Sequence, residues 1–229
     1  MHPRTMVEYA LVRTKRKTIG IYIRDGHVEV RAPSRCPRLE IDRFVASKEK
    51  WILEKLAMSQ EQETQRRAFL LNYGDMILYR GKEYPLVAKC GIHADFDGEQ
   101  FCLPQNLTSQ QIKDTCIKIY RRLAKAHFTE RVMIFAAQMG VNPTAVKVNS
   151  AKTRWGSCSS RGSINFSWML IMADDYVIDY VVVHELAHLT QLNHSAKFWS
   201  IVRDVLPDYL QRAARLKKLQ SRLATENWK

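Results

Sequence analysis

The stretch "HELAHLTQLNH", from His184 to His194, holds three of the chain's seven histidines. A helix turns about 100° per residue, so His184 and His188 project from one face, one turn apart. Two imidazoles at that spacing can meet one metal ion, with Glu185 on the neighbouring face. The pattern is HExxH, in which two histidines hold zinc and the glutamate takes a proton from a zinc-bound water. The bland reading of such a histidine is a hydrogen-bonded core residue, and about one shuffle in a hundred of this composition would contain HExxH by chance. The surroundings favour the chemical reading. Val177, Ile178, Val181, Val182, Val183, Leu186, Ala187 and Leu189 make the helix apolar nearly all round, which places it in the interior. A glutamate there costs free energy unless it has a partner or faces a wet cleft.

A catalytic zinc usually takes three protein ligands and leaves one position open. His194, six residues beyond His188, is the nearest candidate. Six residues of continuous helix turn by about 240°, which would point His194 away from the pair. The spacing therefore predicts a helix that ends between Leu189 and His194. Asn193, tolerant of the left-handed conformation, is expected to close it. Ser195 then starts a new helix, and His194 folds back from the corner. Asp204 and Asp208 are the alternative third ligands. An all-histidine set suits zinc, which favours His194.

These residues need elements to hold them. "KTIGIYIRDGHVEVRAP" alternates apolar and polar residues around Asp25-Gly26, a hairpin signal. "FVASKEKWILEKL" has helical spacing, with Phe44, Trp51, Leu53 and Leu56 on one broad face. The charged, glutamine-rich "SQEQETQRRA" either prolongs that helix or connects it onward. A second β region spans about residues 75–103, with turns at Gly81 and Asp97-Gly98. A long helix follows from about Thr108 to Met139, closed by Gly140. "AVKVNSAK" and "SINFSWML" read as strands, with "TRWGSCSSRG" as the turn or strand end between them. Gly156 in that turn signals a bulge or a close backbone approach. Asp174 is placed to cap the HExxH helix, Ser195 the next one, and Pro207 opens a basic terminal helix.

Composition bounds the rest. A chain of 229 residues with 46% hydrophobic content can bury a sizeable core in one or two domains. The expected division is a β-rich N-terminal region, 1–106, and a catalytic region, 107–229, which can also fold as one unit with the first. No apolar run is long enough for a membrane helix, and the charged N-terminus does not read as a signal peptide. Five scattered cysteines form no CxxC pair, which points to a reducing cytoplasm. The net charge of +13 could attract nucleic acid or another polyanion, with Arg212, Arg215, Lys217 and Lys218 as candidate contacts; the plainer reading is a basic surface. Oligomeric state is not encoded in any motif.

"RWGSC", "HELAHL" and "NHSAKFW" together resemble the YgjP-like family of metallopeptidases, small relatives of the zincins. SprT-like and WLM-type proteases share a similar HExxH with a distal histidine. The resemblance is strongest over about residues 145–210. It implies an α+β fold with a β-rich N-terminal region. A zincin-like region follows, with a long backing helix, a small sheet and the active-site helix. It implies Zn(2+) held by His184, His188 and His194, Glu185 as general base, and a peptide or protein substrate. A metzincin is a poorer match, because Gln191 stands where that group has glycine and no methionine follows Met172. In zincins a strand edge pairs with the extended substrate. "SINFSWML" is the expected strand here, against the alternative of a plain core strand. Cys158 reads as a cleft residue or an ordinary thiol, and Tyr209 as an oxyanion donor or a packed ring. Two other functions remain: a zinc hydrolase of a non-peptide substrate such as a nucleotide phosphoanhydride, and a basic nucleic-acid-binding module with a structural zinc.

Overall fold

The computed structural model describes residues 7–24 and 26–228. Within them the chain divides into two compact units. The first runs to Phe69 and takes in Ala224–Asn227; the second comprises Leu70–Leu223 and Trp228. Among the described residues no helix is long and apolar enough to cross a membrane.

The first unit is a three-stranded sheet with two helices. Strands β1 (Ala10–Thr14) and β2 (Gly20–Arg24) flank β3 (His27–Pro33), β1 parallel to it and β2 antiparallel. The expected hairpin is present: Arg24 opposes His27, and Gly26 has φ +75°. Asp25, the other half of the turn signal, lies outside the described residues. Alternation holds along β3, where Val28, Val30 and Ala32 are buried between more exposed neighbours. The helical segment differs from expectation. It forms two helices, α1 (Arg38–Ser47) and α2 (Glu49–Ala68), broken at Lys48. Residues on either side of that break no longer share one helical phase, so Ile41, Val45 and Ile52 are buried while Trp51 and Leu53 are exposed. The glutamine-rich stretch prolongs α2.

In the second unit, β4 (Met76–Tyr79), β5 (Lys82–Lys89), β6 (Asp95–Phe96) and β7 (Phe101–Pro104) form one sheet in the order β4-β5-β7-β6. Helix α3 (Ser109–Met139) is the predicted long helix. Thr108 and Gln111 make a capping box at its start, and left-handed Gly140 closes it. A second sheet has the order β8-β10-β9, from β8 (Ala145–Asn149), β9 (Gly156–Cys158) and β10 (Ser163–Ser167). Strand β10 pairs with β8 in parallel and with β9 antiparallel. The residues after Ser167 leave the strand and form a 3-10 turn, Trp168–Met172. This leads to α4 (Asp175–Ala187), capped by Asp174, whose Oδ1 accepts from Val177 N at 2.9 Å. Helices α5 (Ala196–Val205) and α6 (Tyr209–Leu223) complete the chain.

Helix α4 is apolar and buried on nearly every side, and it is anchored by polar contacts from α3 and from the β4–β5 turn. Asp175 accepts from the Arg80 guanidinium and lies 3.1 Å from His127 Nε2. One turn on, Arg131 makes a two-point contact with Asp179, at 2.6 and 2.9 Å. The two α3 residues are four apart and so are the two aspartates, so matching helical turns face each other. The β4–β5 turn also docks here: Arg80 and Gly81 donate backbone hydrogen bonds to Ile171 and Met172 carbonyls. A Cβ on Gly81 would lie 2.7 Å from Asp174 Cβ, so this approach needs glycine. Bulky aromatic residues fill the core beneath, with Tyr120 stacked on Trp168 at 5.6 Å and its hydroxyl donated to Leu78 O.

Candidate metal centre

The three histidines converge. One ring nitrogen from each of His184, His188 and His194 lies within 4.8 Å of the other two. His184 Nε2 and His194 Nε2 are 3.1 Å apart. Asp204 and Asp208 do not join this cluster. Asp208 is instead held by Arg212 Nε at 2.8 Å.

His184 and Glu185 come from the last turns of α4, and His188 is its C-cap. The helix ends earlier than expected and by a different device. Leu189 N and Thr190 N bond back three residues, to the carbonyls of Leu186 and Ala187, and Gln191 N also reaches Ala187 O. This tightening of the last turn satisfies the carbonyls without a left-handed residue. Among the described residues, the non-glycine positions with positive φ are Arg80 and Asn106, so Asn193 does not close the helix. The chain then turns through 191–195 and brings His194 back over α4. Ser195 stands at the N-cap of α5 as expected, but its side chain makes no capping hydrogen bond.

Different contacts orient each ring. His188 Nδ1 lies 3.1 Å from Gln191 O, which leaves Nε2 to face inward. His184 Nδ1 is buried with no hydrogen-bond partner, so packing fixes this ring. Tyr180 lies edge-on to it at 6.0 Å, and Phe198 at 4.9 Å. Phe198, fully buried, reaches all three imidazoles, with centroids 4.6 Å from His188 and 4.8 Å from His194. Trp199 lies nearly parallel to His194, at 5.8 Å and 26°. Tyr209 is in turn stacked on Trp199, at 5.3 Å and 20°. Its ring therefore packs, which is the plainer of the two sequence readings.

Burial sets the charge states. It pushes His184 down to about 4, with His188 and His194 adding to the effect. Burial also lowers His188. Neutral imidazoles are the form that binds a metal. Glu185 is only 6% exposed, and burial raises its carboxyl to about 7 against the pull of Arg154. A carboxyl near neutrality is suited to taking and returning a proton.

Strand β9 covers the glutamate. A Cβ built on Gly156 would sit 2.5 Å from Glu185 Oε1 and 2.6 Å from its Cγ. Only glycine lets the backbone come so near, which is the close approach read from the sequence. Cys158, half-buried, is close enough for Glu185 to help raise its thiol, after burial. Of the two readings of "SINFSWML", the structure favours the plain core strand. Its strand portion is β10, the central strand, paired on both sides, and Trp168–Met172 is a 3-10 turn. The sheet edges are β8 and β9, and β9 is the one that lies against Glu185. A three-residue strand carries too little alternation to be legible in sequence.

The basic residues of α6 are largely engaged. Arg212 bonds to Asp208 and Tyr176 O, and stands 3.8 Å over the Tyr176 ring. Arg215 pairs with Asp174, while Lys217 and Lys218 are exposed.

An α+β fold with a buried helix, three converging histidines and an adjacent glutamate fits the metallopeptidase class. A family model described as YgjP-like, metallopeptidase domain, matches residues 17–219, and the chain belongs to that family. The similar solved structures include two metallopeptidase zymogens. Abylysin from Pyrococcus abyssi is 23% identical over 44% of this chain and 97% of its own, with a TM-score of 0.38. Jannalysin from Methanocaldococcus jannaschii is 19% identical over 41% of this chain and 95% of its own, with a TM-score of 0.36. No curated protein matches the chain.

Proposed function

We propose that this metallopeptidase is zinc-dependent, with His184, His188 and His194 as the metal ligands and Glu185 as the general base. The observation that carries the reading is the meeting of three imidazole nitrogens beside a buried carboxyl. The donor set fits zinc: three histidines, with no fourth His, Cys, Asp or Glu in the cluster among the described residues. Zinc, when bound, would supply Lewis acidity to the scissile carbonyl and to the attacking water.

The chain's own residues do the rest. Glu185 takes a proton from the attacking water and returns it to the leaving amine, a shuttle matched to its near-neutral carboxyl. Gly156 keeps the carboxyl in place by closing the space above it. The outer edge of β9 offers backbone groups to an extended peptide, which would add as a further strand beside Glu185. A protein or peptide is therefore the proposed substrate, and a cytoplasmic setting is proposed from the unpaired cysteines.

The test compares wild type with Glu185→Gln on a peptide library at equal zinc content. Wild type should retain one zinc per chain. The variant should keep its zinc and lose about 10²- to 10⁴-fold in turnover, the usual contribution of a general base. Equal rates would remove Glu185 from the mechanism. Full zinc retention by a folded His194→Ala protein would remove His194 from the ligand set.

A further inference from the structure

His194 is the odd ligand. It lies outside any helix, is exposed, and has one hydrogen-bond contact among the described residues, Nε2 to His184 Nε2. Among the described residues nothing bonds its Nδ1 in the way Gln191 O meets His188. An imidazole so placed would turn freely about its side-chain torsions, and a ligand that must first be ordered binds its metal more weakly.

A ring placed to limit this freedom stands five positions on, at Trp199. We infer that Trp199 is a positioning residue for His194, holding the imidazole plane by ring stacking, with Tyr209 as the backing ring. The inference rests on the metal-site reading above. Three near-parallel rings run His194, Trp199, Tyr209, at 5.8 Å and 26° and then 5.3 Å and 20°. Offset stacking is one of the two favoured arrangements of aromatic rings and holds their planes near parallel. The edge-on contacts come from Phe198, at 78° to His194. Phe198 is fully buried and touches the other two ligands as well, so it serves as the common floor. Trp199 is half-buried and aligned with the exposed ligand. The backing ring comes from α6, so the terminal helix contributes to the metal site without supplying a ligand.

The experiment is zinc affinity by competition with a chromophoric chelator, on metal-free wild type, Trp199→Phe, Trp199→Leu and Tyr209→Leu. Phenylalanine can stack and leucine cannot, while both fill apolar space. Trp199→Phe should bind zinc within about twofold of wild type, and Trp199→Leu should be weaker by roughly 2- to 12-fold, the worth of one aromatic pair. Tyr209→Leu should show a smaller loss in the same direction. Proton NMR gives a second readout: the part of the His194 ring-proton shift that comes from the stacked ring should largely persist in Trp199→Phe and be lost in Trp199→Leu, leaving the part due to Phe198. Equal zinc affinity and unchanged His194 shifts in Trp199→Leu would overturn the inference while leaving the metal site intact. Failure of wild type to bind zinc would instead overturn the site itself, and this inference with it.

Discussion

His184 and His194 are assigned the same task in opposite surroundings. His184 projects from a helix buried on nearly every side, between rings that leave it no room. His194 sits in an exposed turn after that helix has ended. On the helix the backbone already fixes direction, and packing supplies the rest even though Nδ1 has no partner. In the turn the backbone fixes less, so ring stacking carries more of the orientation. The site therefore has a rigid wall and an open side, and the two sides should respond differently to substitution.

The largest effect on stability should come where the wall is tightest. Gly156→Ala places a methyl group 2.5 Å from Glu185 Oε1. The Glu185 side chain must shift to admit it, and overpacking of this kind costs about 1–3 kcal/mol. Chemical denaturation of the metal-free protein should show that loss. An unchanged midpoint would mean that the wall is softer than the contrast requires.

A smaller effect is expected at the base of the wall, where His127 meets Asp175. Burial, assisted by Arg80, lowers the His127 pKa, and the pull of Asp175 in the other direction is weaker. Asp175 is already bound by Arg80, so burial decides the direction. The fold thus favours the neutral ring. Its contribution is complete above about pH 6.5, the ordinary histidine value. It is lost as pH falls toward the lowered folded value, because the unfolded chain takes up the proton first. His184 and His188 shift the same way, so the measurement must be differential. Metal-free His127→Gln should lose less thermal stability than wild type between about pH 7 and pH 5. Parallel curves would exclude His127 as a contributor.

The smallest effect belongs to the open side. Leu192 is 78% exposed, two residues before His194. Leu192→Ala should leave unfolding of the metal-free protein within about 0.5 kcal/mol of wild type. A larger loss would show that the turn is packed, and the contrast with α4 would fail.

The sequence displayed the wall better than the open side, for physical reasons. A continuous apolar helix with HExxH on it is a long periodic signal, and Thr108, Gly140 and Asp174 mark helix ends through local hydrogen bonding that needs no tertiary context. Gly156 was legible because glycine in a strand end signals close approach, although its partner Glu185 was not. The hidden parts depend on non-local or very short features. The break at Lys48 carries no proline or glycine, and β9 is three residues long. The helix ended by tightening its own last turn, so Asn193 gave a misleading stop signal. Trp199 stood beside the third histidine in "NHSAKFW", but stacking depends on how a turn folds back, which residue spacing does not reveal.

The paired polar contacts between α3 and α4 act as a vernier. His127 and Arg131 on one helix meet Asp175 and Asp179 on the other, each pair one turn above the last. A slip of α4 by a turn would put Arg131 opposite Asp175 and leave Asp179 without its partner. The ladder therefore selects one axial setting from those that a uniformly apolar helix would accept. His184 follows Asp175 by nine residues, about 13.5 Å along the axis. The height at which the proposed ligands emerge is thus gauged at the far end of the helix, by contacts that never touch them.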